Sequence, residues 1–200
     1  YMMENDLLGT RRVAVVRDEY EKIQDRMHLD TVFNILDTDC CIMLDEMMGM
    51  ESPTRREVDE YSRPPDGGRY TLSRQGIELS QYVREQGYHI IPISGKDQLE
   101  YGCNVLNLGD GHIISVHRKT AREISRSSHF RGEITLVDFK SVTAMYGAVH
   151  CASQVVYRGE PEEESQSVTA SISEISRAFG ENPFLANGST FNNRGDNYGG

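Results

Sequence analysis

Long hydrophobic runs are missing from this chain of 200 residues. Its most apolar stretches, such as residues 13–16 and 90–91, are far too short to span a bilayer, so we expect no membrane partner. Basic residues are also scarce: 21 Lys and Arg stand against 31 Asp and Glu, which gives a formal net charge of −10. Phosphate binding needs a basic face, so this balance argues against a nucleic-acid partner. It does not exclude a small cationic ligand.

Cysteine is scarce as well, and is present only as Cys40, Cys41, Cys103 and Cys151. Two of the four are adjacent, none forms a CxxC pair, and no secretory leader precedes them. The pattern predicts a reduced, cytoplasmic setting in which one thiol is a candidate for reactivity.

The composition changes at about residue 158. Residues 1–158 are long enough for one domain with a hydrophobic core, whereas residues 159–200 are acidic and rich in Ser, Asn and Gly. We expect the second part to be a disordered tail. Four apolar tail residues share one helical face, which fits either a short docking helix or transient helicity without a partner; they are Val168, Ile172, Ile175 and Phe179.

The first residues indicate that sequence is missing upstream. Residues 1–8 resemble the last turns of a helix, and Gly9 is placed to terminate it. Translation rarely starts inside an element, so the pattern predicts that this chain is the C-terminal part of a longer protein.

The apolar patterns predict a mixed α/β fold. Strands are expected at residues 11–17, 29–36, 40–44, 89–93, 104–108, 112–117, 134–137 and 151–157, and helices at residues 73–87, 119–127 and 141–146. Residues 46–68 are rich in Pro, Gly and charge, which predicts a long surface loop. A hairpin–helix–strand unit then occurs twice, about 75 residues apart. This repeat points to the last modules of a propeller-like array, which needs further modules to complete its core.

Three residues indicate a specific chemistry, namely His28, Asp30 and Cys151. On a strand, the histidine and the aspartate would point to the same face. Cys151 follows about 120 residues later, at the head of a predicted apolar strand. The three side chains suggest a nucleophile, an acid/base and a cation-binding carboxylate. Each also has a structural interpretation, as a small buried hydrophobe, a hydrogen-bonded histidine and a turn residue.

A metal site is the competing chemical interpretation. It would join His28 and Asp30 to one further histidine, drawn from His112, His117, His129 and His150. The spacings match no compact zinc pattern. His112 and His117 also lie on opposite faces of their predicted strand, so they cannot hold one ion together. We therefore expect no metal here.

The string MHLDTVF at residues 27–33 resembles a specific motif of the arginine deiminase family. Residues 102–108 resemble the later G-x-N-x-L hairpin of that family, and His150-Cys151 resembles its nucleophile position. The resemblance covers residues 11–158, in the order and spacing of the family. It implies the pentein fold, in which five small α/β modules surround a pseudo-fivefold axis that carries the active site. This chain would supply the last modules only and would need upstream modules of the same protein.

Carried over residue by residue, the resemblance makes Cys151 the nucleophile, His28 the general acid/base and Asp30 a ligand of the substrate guanidinium. A carboxylate can bind a planar guanidinium through two hydrogen bonds. The thiolate would attack the guanidino carbon, and His28 would protonate the departing ammonia and then activate water. The resemblance thus implies hydrolysis of L-arginine to citrulline and ammonia, without a metal or an organic cofactor.

Two departures from the family pattern keep alternatives open. The Asp and Glu that usually complete the guanidinium cage would lie before Tyr1, so upstream modules or another copy in a homo-oligomer would supply them. Tyr146 stands where many members have an arginine that binds the substrate carboxylate. The same fold serves arginine dihydrolases and amidinotransferases. A non-catalytic arginine-binding or regulatory fragment is the alternative from a different class.

Overall fold

The computed structural model describes residues 1–5, 7–19, 22–155 and 189–191. The described strands are β1 (Arg12–Arg17), β2 (Phe33–Ile35), β3 (Cys40–Leu44), β4 (Glu57–Ser62), β5 (Thr71–Glu78), β6 (His89–Ile93), β7 (Leu106–Gly109), β8 (His112–Ser115), β9 (Glu133–Leu136) and β10 (Ser189–Phe191). The described helices are α1 (Leu79–Glu85), α2 (Gly95–Leu99), α3 (Arg118–Arg126) and α4 (Lys140–Thr143), with 3-10 turns at Gln24–Arg26, Leu29–Thr31 and Asp45–Met47. The predicted α/β class is confirmed. None of these helices combines the length and the hydrophobicity that crossing a membrane requires.

The described residues form three small sheets, and two of them follow the same plan. In one, β2 and β3 form an antiparallel hairpin, and β6 pairs in parallel with β3 after α1. In the other, β7 and β8 form the hairpin, and β9 pairs in parallel with β8 after α3. The repeated hairpin–helix–strand unit is therefore present as predicted. Within the described part of the chain, these sheets do not close into a propeller or a barrel.

Strand β3 joins two apolar clusters because all five of its residues are buried. Side chains alternate across a strand, so Cys40 and Ile42 pack with the repeat of β7, β8 and α3, where Phe130 and Ile134 are also fully buried. On the opposite face, Cys41 and other β3 side chains pack against α1 and β4. An apolar run without alternation is typical of a strand that is covered on both sides.

The prediction of a long loop at residues 46–68 is wrong, because β4 lies inside this range and pairs with both β1 and β5. The strand escaped detection because its buried residues include two acids. The Tyr82 hydroxyl donates to Glu60 Oε2 at 2.8 Å, and Arg17 Nε lies 3.0 Å from Asp59 Oδ2. Side chains from other elements thus pair with the buried Asp59 and Glu60. In the sequence, the same charges indicated a solvated loop.

The helix predicted at residues 73–87 begins later than expected, since its first residues belong to β5. Glu78 sets the start of α1: its carboxylate accepts hydrogen bonds from the backbone N–H groups of Ser80 and Gln81, both at 2.8 Å. A carboxylate at this position accepts hydrogen bonds from the free amides of the first turn, and its negative charge interacts favourably with the positive end of the helix dipole.

The predictions for the two ends of the chain have different outcomes. The described residues among 1–8 form turns and no helix, although Gly9 has the expected left-handed φ of +62°. Most of the predicted tail, including its four helical-face residues, lies outside the described residues. Ser189–Phe191 are described, and they form β10, which pairs antiparallel with β9.

Candidate functional site

Cys151 lies in a turn, and the prediction of a strand at its position is wrong for the described residues. The backbone N–H of Ala152 donates to Ala148 O at 2.9 Å, so these amides are used within the turn and not in a sheet. Gly147 packs beneath it, where an added Cβ would stand 3.2 Å from the Cys151 Cβ. The turn presents Cys151 as an exposed residue, whereas the other three cysteines are buried.

Asp30 lies in the 3-10 turn Leu29–Thr31, and the structure brings its carboxylate to Cys151. Asp30 Oδ2 accepts hydrogen bonds from the Cys151 Sγ at 3.2 Å and from His150 Nδ1 at 2.9 Å. The buried Arg26 anchors the chain just before this turn, with Nη2 2.8 Å from Glu46 Oε2. Two of the three predicted site residues thus meet across 121 positions of sequence.

His28, the third predicted residue, is exposed, and its side chain makes no hydrogen bond to Asp30 or Cys151 in the described part of the chain. The expectation of a shared face assumed a strand. His28 has an extended backbone and precedes the 3-10 turn that contains Asp30, so the strand alternation that would place both side chains on one face is absent. The histidine that does contact Asp30 is His150.

Asn104 is a site residue that the sequence did not single out, and it is fully buried. Its amide Nδ2 donates to Asp30 Oδ2 and lies 3.1 Å from both that oxygen and the Cys151 Sγ. Its Oδ1 accepts from the backbone N–H of His150 at 3.0 Å. The available signal was its position as the asparagine of the G-x-N-x-L string.

Two opposing influences act on the Cys151 thiol. Burial raises its pKa above the ordinary value, and the Asp30 carboxylate raises it further. Hydrogen bonds from the Ala148 N–H and the Asn104 amide act in the opposite direction. A cation that pairs with Asp30 would therefore favour the thiolate, because it would offset the repulsion between two neighbouring negative charges.

The second carboxylate oxygen of Asp30 also favours a cationic ligand at this position. Oδ1 is buried, and the described residues provide no hydrogen-bond partner for it. An unpaired buried acceptor is costly, so this atom favours a donor brought by a ligand. A cavity of about 280 Å³ is lined by His150 together with neutral polar and apolar residues, but not by Asp30, Cys151 or Asn104. A larger cavity of about 620 Å³ lies elsewhere and contains none of these four site residues.

On the metal alternative, the described residues contain no group of three or more His, Cys, Asp or Glu side chains with the arrangement to hold an ion. Two of the histidines considered for it have other partners. His112 Nε2 lies 2.9 Å from Thr135 Oγ1, and His117 Nδ1 lies 2.9 Å from Thr120 Oγ1.

The molecule is thus an α/β protein in which a carboxylate, an imidazole and a buried amide surround one exposed thiol. The sequence model of the arginine deiminase family matches residues 1–158, and the chain belongs to this family. It is similar to an arginine deiminase of Halobacterium salinarum, with 26% identity over 190 residues. The match covers 78% of this chain and 38% of that protein, so the chain spans well under half of the relative's length.

Proposed function

We propose that the complete protein hydrolyses the guanidino group of L-arginine to citrulline and ammonia, with Cys151 as the nucleophile. The observation that carries the proposal is the position of the Asp30 carboxylate. Oδ2 lies 3.2 Å from the Cys151 Sγ and 2.9 Å from His150 Nδ1, while Oδ1 is buried without a partner in the described chain. A carboxylate with one unpaired oxygen, beside a thiol, suits a planar cation that carries several N–H groups.

In this mechanism, the substrate guanidinium first pairs with Asp30. Its positive charge favours ionisation of Cys151, and the thiolate attacks the guanidino carbon to give a tetrahedral adduct. The C–N bond to one terminal nitrogen breaks, and that nitrogen leaves as ammonia with a proton from an imidazole. Water then adds to the thiouronium carbon, gives its proton back to the imidazole, and releases citrulline and the thiol.

We assign the proton transfers to His28 and an orienting role to His150. Family membership supports His28, which stands in the MHLDTVF string two residues before Asp30. Contact supports His150 as the residue that holds Asp30, because the hydrogen bond between them measures 2.9 Å. Substrate binding would have to bring the exposed His28 ring towards the guanidino group.

We further propose that the two repeated units are the last modules of a pentein, and that upstream modules, or a second copy in a homo-oligomer, complete the guanidinium cage. An arginine dihydrolase or an amidinotransferase on the same fold is the alternative reaction, and a non-catalytic arginine-binding fragment is the alternative class. The four free cysteines support a reducing, cytoplasmic compartment.

The test is citrulline and ammonia release from L-arginine by the complete protein, including any sequence upstream of Tyr1. Cys151→Ala and His28→Ala should each abolish turnover, because they remove the nucleophile and the proton carrier. His150→Ala should keep measurable turnover with a raised KM, since it only loosens Asp30. Cys103→Ala is the control and should stay mostly active.

Equal loss of turnover in Cys103→Ala and Cys151→Ala would contradict the choice of nucleophile. Full activity in His28→Ala, together with none in His150→Ala, would exchange the two histidine roles. Ornithine in place of citrulline would identify a dihydrolase. Folded, arginine-binding protein without turnover would favour the non-catalytic alternative.

A further inference from the structure

Asn104 links the two chain segments that form the site. It lies between α2 and β7, and its side chain is fully buried. Nδ2 donates to the Asp30 backbone O at 3.2 Å and to Asp30 Oδ2 at 3.1 Å. Oδ1 accepts from the backbone N–H of His150 at 3.0 Å and from that of Cys151 at 3.4 Å. One primary amide therefore spans the Asp30 turn and the Cys151 turn.

The partners of this amide fix its orientation. Two N–H groups face one end, so that end must be the oxygen, and a carboxylate with a carbonyl face the other, so it must be the nitrogen. Aspartate at this position could still accept from the two N–H groups but could not donate to Asp30. No hydroxyl side chain reaches both sides at once.

We propose that Asn104 stabilises the Cys151 thiolate directly and positions Asp30 beside it. The inference rests on the proposed function, since it matters for catalysis only if Cys151 is the reacting thiol. The Asn104 Nδ2 lies 3.1 Å from the Cys151 Sγ, which is hydrogen-bond distance to a sulfur. When the thiol ionises it can no longer donate to Asp30, and the same amide then bridges the carboxylate and the sulfur.

A neutral hydrogen-bond donor is needed to stabilise the thiolate, because some of the other groups around the sulfur favour its ionisation and others oppose it. Asp30 opposes ionisation of the Cys151 thiol. The Tyr101 hydroxyl is a further acidic group, and its pKa is raised by burial and by nearby acids, Cys151 among them. His150 favours the thiolate only when its ring is protonated. Among neutral donors, the Ala148 N–H and the Asn104 amide favour the charged sulfur at every pH.

The test is the pH dependence of Cys151 alkylation by iodoacetamide in the unsubstituted chain and in Asn104→Asp. The substitution keeps the size and the acceptor but replaces the donor with a second carboxylate. We expect the midpoint of the rate profile to rise by about one pH unit, so alkylation near neutral pH slows about tenfold. Asn107→Asp is the matched control, because Asn107 donates to the Ile35 and Leu36 carbonyls and touches none of these groups.

Superimposable profiles for Asn104→Asp and the unsubstituted chain, both folded by circular dichroism, would overturn the inference. So would an equal shift in Asn107→Asp, which would indicate a general effect of charge. If Asn104→Asp does not fold, the unsubstituted chain still decides the question by NMR. The Asn104 side-chain NH₂ signals should then titrate with the midpoint of the alkylation profile, and no change at that midpoint would overturn the proposal.

This readout separates the inference from the proposed function, because alkylation needs a thiol and no turnover. A shifted profile in a protein that releases no citrulline would retain the role of Asn104 and reject the deiminase reaction. Citrulline release with unshifted profiles would do the reverse.

Discussion

At the scale of single residues, the four cysteines divide by burial. Cys40, Cys41 and Cys103 are fully buried, whereas Cys151 is exposed on its turn. Burial raises the pKa of Cys40 to about 11 and that of Cys41 to about 12, and it raises the pKa of Cys103 still further. The thiolate is the reactive form, so both access and ionisation favour Cys151 over the others.

We expect iodoacetamide at mildly alkaline pH to label the native chain at Cys151 before any other cysteine. Peptide mass spectrometry after short exposure would locate the label, and addition of denaturant should expose all four thiols. The prediction would be contradicted if Cys103 reacted in the native chain as fast as Cys151.

At the scale of elements, the two hairpins followed from local patterns while β4 did not. The runs of β3, β6 and β8 are apolar and are bounded by turn residues, so single-sequence reasoning located them. Strand β4 carries its charges inward, and only the neighbouring β1, β5 and α1 provide partners for them. The 3-10 turn Leu29–Thr31 was likewise mistaken for a strand, because its apolar and β-branched residues fit both structures.

The join between β8 and β9 depends on a close backbone approach at Gly132. A Cβ there would stand 1.7 Å from Gly111 O and 2.8 Å from the Phe130 ring, and Gly111 O accepts from the Glu133 N–H. Gly132→Ala must therefore push β9 away from the hairpin turn. We expect a loss of about 1–3 kcal/mol in the free energy of unfolding, measured by urea denaturation.

The neighbouring substitution Arg131→Ala is the control, because Arg131 is exposed and its truncation fills no space. It should change the free energy of unfolding by less than about 0.5 kcal/mol. Equal stability of Gly132→Ala and the unsubstituted chain would show that this contact is not as tight as described.

At the scale of the whole molecule, the buried thiols make stability depend on alkaline pH. Cys40 and Cys41 have folded pKa values raised to about 11 and about 12, above those in the unfolded chain. Below the unfolded value both states hold the proton, and the stabilisation is complete. Between the unfolded and folded values the unfolded chain binds fewer protons, so stability falls as pH rises.

We expect the free energy of unfolding to decrease from about pH 9 upwards, by about 1.4 kcal/mol per pH unit for each such thiol. Chemical denaturation at several pH values up to 11 would measure the slope. Cys40→Ala removes one titrating group, so its slope should be shallower than that of the unsubstituted chain. Identical slopes would exclude Cys40 as a contributor.

The sequence by itself determined the α/β class and the repeated hairpin–helix–strand unit. These features depend on residue type and on local periodicity, which can be recognised within short windows of sequence. The resemblance carried by MHLDTVF also anticipated the family to which the chain belongs.

Only the tertiary structure decided how the site is assembled. The contacts of Asp30 with Asn104, His150 and Cys151 join residues 74 to 121 positions apart, and no local pattern encodes them. The 3-10 turn, which the sequence did not predict, leaves His28 exposed and turns Asp30 towards the thiol. The buried acids of β4 are satisfied by side chains from elsewhere in the chain, so their burial depends on packing between elements and not on the composition of one segment.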